Sequence, residues 1–258
     1  MFDLATDYYR FDDINHTVID ILASLRSSWS HEPTLLDVGC GRGQLGEAAR
    51  RLTYRVTGIE CHPVALAAAR DRVNEILPID LADQRAVAVA LDDGKFDVIL
   101  FADVLEHLPD PLSILKFYRD FLRPNGKIIV SVPNIASWDR RLALFFGHFD
   151  YTDSGVMDRT HLRFFTFNTA QVLMAEAGLA TVSVRHAPGV LRAFLPLIGR
   201  FFNVRRRATL PEPGDILNSP AYRFYERWVL PAETSITGLW RAFFSFRIVL
   251  VGAVRDTE

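Results

Sequence analysis

The chain has 258 residues, of which 49% are hydrophobic and 23% charged, and its formal net charge is −2 at pH 7. This length accommodates one large domain, with or without an insertion, and the charge balance excludes a general electrostatic attraction to nucleic acid. Because the sequence has two cysteines, no signal-peptide pattern and no apolar run of the ~20 residues that span a bilayer, we expect a reduced, cytoplasmic protein.

Hydrophobic periodicity predicts helices and short apolar strands that alternate along the first half of the chain. The first helix is predicted over residues 7–29. Strands are predicted at residues 34–38, 55–59, 75–77, 96–101 and 127–132, with helices at 46–52, 63–73 and 112–122. Proline and Asn-Gly predict a turn at residues 123–126. Later in the chain, residues 162–166 and 181–185 are predicted to be extended, 168–177 helical and 246–254 a last strand.

The alternation of strands and helices predicts an α/β fold in which a parallel sheet is covered by helices on both faces. Residues 1–186 and 246–258 would form this domain, and residues 187–245, rich in proline, arginine and aromatic side chains, are interpreted as a C-terminal helical insertion before the last strand. Ligands of such sheets bind outside the carboxyl ends of the strands. We therefore expect the functional residues in the loops that follow the strands.

The loop after the first strand carries the most specific signal. Glycine occupies positions 39, 41 and 43, and a helix is predicted to begin directly afterwards. Glycine lets backbone N–H groups and a helix N-terminus approach a nucleotide-like ligand closely. Residues 41–46 also match GxGxxG, and Glu60 follows near the spacing of a ribose-binding acid, so a dinucleotide oxidoreductase is one alternative.

Acidic residues around the same edge argue against a dinucleotide. Asp37 lies two positions before the first glycine, where it would face the negative charge of a pyrophosphate, and the chain has little room for a separate substrate domain. Asp80 and Asp103 follow the third and fourth predicted strands and make the edge acidic. An acidic edge favours a cationic cofactor that has hydroxyl and amino groups.

The chain resembles the class I S-adenosylmethionine-dependent methyltransferases. The resemblance covers residues 30–185 and rests on four ordered motifs: LLDVGCGRG at 35–43, TGIE at 57–60, FDVIL at 96–100 with LEH at 105–107, and LRPNGK at 122–127. It is most similar to the branch with small-molecule O-methyltransferases of quinone biosynthesis and of bacterial surface-glycan clusters. The resemblance implies a Rossmann-like, seven-stranded, mostly parallel sheet whose last strand is antiparallel.

The resemblance also implies the cofactor, S-adenosyl-L-methionine with S-adenosyl-L-homocysteine as product, and a role for each residue around it. The backbone of Gly39, Gly41 and Gly43 would pack against the methionine and ribose, and Asp37 would contribute to binding the amino end. Glu60 would accept hydrogen bonds from the ribose hydroxyls. The remaining contacts would be those of Asp80 and Leu81 with adenine, and of Ala102 and Asp103 near the transferred methyl group.

The segment DRTHLRFF at residues 158–165 is the best candidate for the acceptor side, and related methyltransferases of the glycan-cluster branch have a similar stretch. A hydroxyl acceptor needs a base, and we predict His161 in that role, with Arg159 positioning the acceptor. The alternative is that His161 and Asp158 only hold a loop together. Tyr8 and Tyr9 are candidates for a lid over the substrate. Since no cysteine pair or histidine cluster has metal-binding spacing, we expect no metal.

The insertion predicted at residues 187–245 contains a basic amphipathic stretch. Residues 185–207 include six arginines and no acids, interleaved with apolar side chains. Such a stretch at 190–207 can lie on an anionic membrane surface, which would place the protein peripherally at the inner membrane. A cap over the acceptor pocket or a homodimer contact explains the pattern equally well, and nucleic-acid binding is disfavoured.

The predicted function is methyl transfer to oxygen on a small molecule or a glycan, the latter including lipid-linked forms. N-methylation of a small amine or amino sugar is the enzymatic alternative. A non-catalytic module that binds S-adenosylmethionine for regulation or interaction is the alternative from another class.

Overall fold

The computed structural model describes residues 15–188, 227, 235, 237, 238 and 240–255. The predicted lid residues Tyr8 and Tyr9 and the basic stretch at 190–207 lie outside these described residues. The division of the chain into a domain and an insertion stays a prediction. Within the described part of the chain, every helix is too short or too polar to cross a membrane.

Helices and strands alternate through the described residues. The strands are β1 (Thr34–Val38), β2 (Arg55–Ile59), β3 (Glu75–Leu77), β4 (Phe96–Ala102), β5 (Leu122–Pro133), β6 (Leu179–Pro188) and β7 (Ser245–Val254). The helices are α1 (His16–Arg26), α2 (Gln44–Arg51), α3 (Pro63–Ala69), α4 (Gln84–Leu91), α5 (Pro111–Arg119), α6 (Trp138–Phe145), α7 (Phe167–Glu176) and α8 (Arg241–Phe244). A 3-10 turn, Leu105–His107, follows β4.

The seven strands form one sheet in the order β3-β2-β1-β4-β5-β7-β6. The neighbours among β1 to β5 pair in parallel, and β7 is antiparallel to both β5 and β6. The predicted seven-stranded, mostly parallel sheet with an antiparallel last strand is confirmed. The strand order reverses at β1 and β4, and a ligand crevice is expected outside their carboxyl ends.

The core lies on both faces of the sheet because side chains alternate along each strand. In β1, Leu35 packs in one buried cluster together with Val18 and Leu22 of α1, whereas its neighbour Leu36 packs in the other cluster together with Tyr118 of α5. Strands that are buried on both faces are continuously apolar. β1 and β4 are accordingly mostly apolar and almost fully buried, although each also buries one aspartate, Asp37 and Asp97.

The structure corrects several predicted boundaries. β5 begins at Leu122, so the predicted turn at 123–126 lies inside the strand as an irregularity where the β4–β5 register shifts between Phe96 and Val98. Asn125 has a positive φ of 66°, so the backbone at this irregularity still has the conformation of the predicted turn. Helix α4 was not predicted. Residues 162–166 form no strand, and Phe165 makes only an isolated bridge with Asn134.

Candidate functional site

The loops after β1 and β2 are joined through one carbonyl group. The backbone N–H groups of Gly39 and Cys40 both donate to Ile59 O, at 2.9 and 3.0 Å. Gly39 has a φ of +70°, and a Cβ there would come within 2.9 Å of Val104 Cγ2 and 3.3 Å of Leu81 Cδ2. Glycine is therefore required at this position because three loops converge on it.

Gly41 and Gly43 serve the same turn in different ways. The N–H of Gly41, whose φ is 54°, donates to Glu60. Gly43 has a φ of +76°, and a Cβ there would lie 3.1 Å from Ala69 Cα in α3. Gly43 thus allows close packing between helices, and Gly41 fastens the loop to the acid after β2.

Glu60 accepts three backbone hydrogen bonds. Its Oε2 accepts from Gly41 N at 3.0 Å, and its Oε1 accepts from Cys61 N and His62 N at 2.8 Å each. A carboxylate offers about four acceptor positions, so Glu60 retains capacity for one ribose hydroxyl in this geometry. The residue therefore fits the predicted role and also holds two loops together.

Asp37 is buried, with 2% of its surface exposed, and its Oδ2 has no hydrogen-bond partner among the described residues. Burial, followed by the charge of Glu60, raises the pKa of the Asp37 carboxyl to about 7. A buried acceptor without a partner is costly, and a cationic group would satisfy it. Asp37 thus fits the ammonium group of the cofactor that the resemblance implies.

The structure separates the roles of Asp80 and Asp83. Asp83 caps α4 by accepting from Ala86 N at 3.0 Å, whereas Asp80 lies exposed after β3 and its side chain accepts from Ala82 N at 2.9 Å. The carbonyl of Leu81 accepts from the Tyr118 hydroxyl at 2.9 Å, and its side chain lies beside Gly39. Asp80 and Leu81 therefore share the edge with the glycine loop, as predicted.

β4 ends at Ala102, and Asp103 follows it at the same edge of the sheet. Asp103 has a φ of +55°, a region that non-glycine residues seldom adopt and that occurs at functional sites. Its Oδ1 accepts from Ser131 Oγ at 3.1 Å, and its Oδ2 pairs with Arg247 Nη2 at 2.9 Å. Sequence reasoning did not identify Ser131 or Arg247, because they come from β5 and β7.

The segment that carries His161 is fastened to the turn after β4. Leu162 N and Arg163 N both donate to Glu106 O, at 2.8 and 3.0 Å. Thr160 donates from its Oγ1 to Asp158 Oδ1 at 2.6 Å, and its Oγ1 lies 3.1 Å from His107 Nδ1. Asp158 O also accepts from His161 N at 3.0 Å, so the loop contact predicted between His161 and Asp158 exists, and Thr160 links it to His107.

His161 is 8% exposed, and its Nδ1 lies 3.0 Å from Val156 O. Since a carbonyl only accepts, Nδ1 carries the hydrogen, and Nε2 has the lone pair in the neutral ring. The ring centroids of His161 and His107 are 4.8 Å apart. Burial, followed by the charge of His161, lowers the pKa of His107 to about 4, so His107 is neutral at pH 7.

Glu106 lies beside both histidines and is 1% exposed. Neither carboxyl oxygen has a hydrogen-bond partner among the described residues, and burial, followed by the charge of Asp103, raises its pKa well above the usual value. Glu106, His107 and His161 each offer one potential ligand atom, and these three atoms lie within 4.8 Å of one another. These groups could hold a cation, a grouping that sequence spacing missed because the fold brings it together from separate segments.

Arg159 lies at the outer side of this segment. It is half exposed and pairs with Asp153, and its role in positioning an acceptor stays a prediction. A cavity of about 300 Å³ lies nearby. It is lined by Ile135, Ala136, Arg140, Arg141, Ala143, Leu144, His148, Phe149, Asp150 and Met157. Met157 of this lining directly follows Val156, whose carbonyl accepts from His161 Nδ1, whereas His161 itself is not one of the lining residues.

Comparisons with known proteins agree with this arrangement. A family model described as a methyltransferase domain matches residues 8–184. A ubiquinone biosynthesis O-methyltransferase from Pseudomonas paraeruginosa is 32% identical over 140 residues, which cover 51% of this chain and 57% of the relative. A protein of the same name from Cereibacter sphaeroides is 39% identical over 101 residues, which cover 39% of this chain and 41% of the relative.

A solved structure described as a SAM dependent methyltransferase from Archaeoglobus fulgidus is similar to this fold. It is 14% identical, with a TM-score of 0.58, and the match covers 95% of this chain and 96% of that one. At this identity the likeness concerns the fold alone. The chain thus spans between two fifths and three fifths of the named relatives, and nearly all of this structural neighbour.

Proposed function

Since the chain belongs to the class I S-adenosylmethionine-dependent methyltransferases, we propose that it transfers a methyl group to a hydroxyl oxygen of a small-molecule acceptor. Bound S-adenosylmethionine supplies an electrophilic methyl group on a sulfonium. The residues of this chain bind and orient the cofactor, exclude water and accept the acceptor's proton.

The loops after β1, β2 and β3 would hold the cofactor. The unpartnered Oδ2 of Asp37 would accept from its ammonium group, and the remaining acceptor position of Glu60 would take a ribose hydroxyl. Asp80 and Leu81 would contact the adenine. These residues bind and orient, which is a large part of catalysis in an in-line displacement.

His161 is the proposed general base, and its geometry is the observation that carries the proposal. The hydrogen bond to Val156 O fixes the tautomer in which Nε2 can accept a proton. Two hydrogen bonds from Leu162 and Arg163 to Glu106 O hold its segment against the turn after β4, which is the edge where the methyl group would be presented. A base held at that edge favours an acceptor that must lose a proton, and a hydroxyl is such an acceptor.

The names of the two relatives support oxygen as the methylated atom, because both are O-methyltransferases. The cavity of about 300 Å³ that Met157, Phe149 and Leu144 help to line supports a small acceptor with an apolar part. A glycan hydroxyl would present the same reactive group, and it belongs in the same acceptor panel.

The test is a transfer assay with methyl-labelled S-adenosylmethionine and a panel of phenols, sugars and amines, with and without a chelator. The proposal predicts labelled products from hydroxyl acceptors and the same rate in the presence of the chelator. Transfer to amines alone would contradict oxygen as the acceptor atom. Tight binding of S-adenosylhomocysteine without transfer to any acceptor would favour a non-catalytic binding module. Loss of activity with the chelator, restored by a divalent metal, would assign Glu106, His107 and His161 to a cation.

A further inference from the structure

Two arginine–aspartate ion pairs lie at opposite ends of β4. At the amino end, Arg123 Nη1 lies 2.8 Å from Asp97 Oδ2, and at the carboxyl end Arg247 Nη2 lies 2.9 Å from Asp103 Oδ2. Only the second pair is at the edge where the proposed site lies. Arg247 belongs to the antiparallel strand β7, whereas Arg123 belongs to the parallel strand β5.

The register of the sheet explains how Arg247 reaches this edge. Arg247 pairs with Pro133, the last residue of β5, so it lies level with the carboxyl ends of the parallel strands. Its side chain is only 11% exposed, and it extends past β5 to the end of β4. Its charge acts on Glu106 as well as on Asp103, so Arg247 is a cation that both acids share.

Asp103 has an unusual backbone conformation, and several contacts maintain it. Its φ of +55° is maintained by Asp103 N donating to Ser131 O at 2.9 Å and by Ser131 Oγ donating to its carboxylate. Ser131 Oγ in turn accepts from Asn15 Nδ2 at 2.8 Å, and Asn15 caps α1. Strained conformations persist where the surroundings determine them several times over, and three elements converge here.

We propose that Arg247 is a positioning residue of the methyl-transfer site: its ion pair fixes Asp103 and, through it, the turn that carries Glu106 and His107. This inference rests on the proposed function. That turn accepts the two backbone hydrogen bonds from Leu162 and Arg163, so the position of His161 depends on it as well. Arg247 acts through these residues and leaves the loops after β1 to β3 unchanged.

The experiment compares Arg247→Met with Arg123→Met, which removes a cation from an ion pair at the opposite end of the same strand. For Arg247→Met we expect kcat to fall about 10- to 100-fold, because a small displacement of reacting groups has effects of this size. The KM for S-adenosylmethionine and the affinity for S-adenosylhomocysteine should change by less than about threefold. Arg247→Lys, which retains the charge, should restore part of kcat, and Arg123→Met should leave kcat at the wild-type value.

Amide hydrogen exchange provides a readout that does not depend on activity. In Arg247→Met, peptides covering residues 103–107 and 158–163 should exchange about tenfold faster, and in Arg123→Met they should exchange as in the wild type. Equal effects of the two substitutions on exchange and kcat would overturn the proposal. If Arg247→Met does not fold, Ser131→Ala must show the same exchange pattern for the proposal to stand. Absence of transfer by the wild type would contradict the proposed function alone, since the exchange comparison would still decide the role of Arg247.

Discussion

The cofactor side and the acceptor side of this molecule hold their polar groups in different ways. On the cofactor side, Glu60 accepts from the next two residues of the chain and from the glycine loop. On the acceptor side, Thr160 meets His107 across 53 residues of sequence, and Asp103 is held from β5 and β7. The bonds of Glu60 are short-range in sequence, whereas those of the acceptor side join distant segments and exist only in the complete fold.

The largest expected effect is a loss of turnover on the acceptor side, at His161. We expect His161→Asn to lower kcat by about 10²- to 10⁴-fold, the contribution of a positioned general base. The asparagine amide can still donate to Val156 O, so the segment should retain its position. Calorimetry should show an unchanged affinity for S-adenosylhomocysteine.

The matched control is His31→Asn, at the amino end of the sheet beside Asp97, which should retain full activity. Comparable turnover of His161→Asn and the wild type would remove His161 from catalysis.

The second effect concerns the cofactor side alone. Glu60→Ala should weaken S-adenosylhomocysteine binding by roughly ten- to a hundredfold, because a hydrogen bond to a charged group contributes about 1.5–3 kcal/mol. It should also lower the free energy of unfolding, since three backbone N–H groups lose their acceptor. Titration calorimetry and urea unfolding measure the two effects separately.

Glu47→Ala is the control for this substitution, because Glu47 is partly exposed on α2 and pairs with Arg51 and Arg72. It should leave binding unchanged. An unaltered affinity in Glu60→Ala would place the ribose elsewhere.

The third effect is a pH dependence at Asp37. Its folded pKa of about 7 lies above the ordinary 3.8, so its contribution to stability is complete below the ordinary value and is lost as pH rises through about 7. The cofactor's ammonium group favours the ionised carboxylate. We therefore expect binding to release a proton below pH 7 and the affinity to rise with pH, by about tenfold per unit at most.

Calorimetry in buffers of different ionisation enthalpy measures this proton release. Asp37→Asn should abolish it and weaken binding at pH 8. Proton release that persists in the variant would assign the titration to another group.

The smallest expected effect is on the acceptor side. Thr160→Val retains the shape of the side chain and removes the hydroxyl that joins Asp158 and His107. We expect the free energy of unfolding to fall by about 0.5–1.5 kcal/mol and S-adenosylhomocysteine binding to stay unchanged. Thr152→Val, which removes an exposed hydroxyl bonded to Ser154 O, is the control. A larger loss in the control would show that the Thr160 network contributes nothing particular to stability.

The difference between the two sides also explains what the sequence could predict. Asp37 lies in β1, Glu60 directly after β2 and Asp80 three residues after β3, so the predicted strands already bring them to one edge. His161 was identified by residue type, but its partner Val156 and its neighbours Glu106 and His107 depend on how two distant segments pack. Arg247 was invisible because its role depends on the register of β7 against β5, which no local pattern specifies.

We expect the glycine loop and its acids to select a sulfonium cofactor over a dinucleotide. The decisive experiment is calorimetric titration of the wild-type protein with S-adenosylhomocysteine and, separately, with NAD. We expect micromolar binding of S-adenosylhomocysteine and no heat of binding with NAD. Binding of NAD without binding of S-adenosylhomocysteine would mean that the loop holds a dinucleotide.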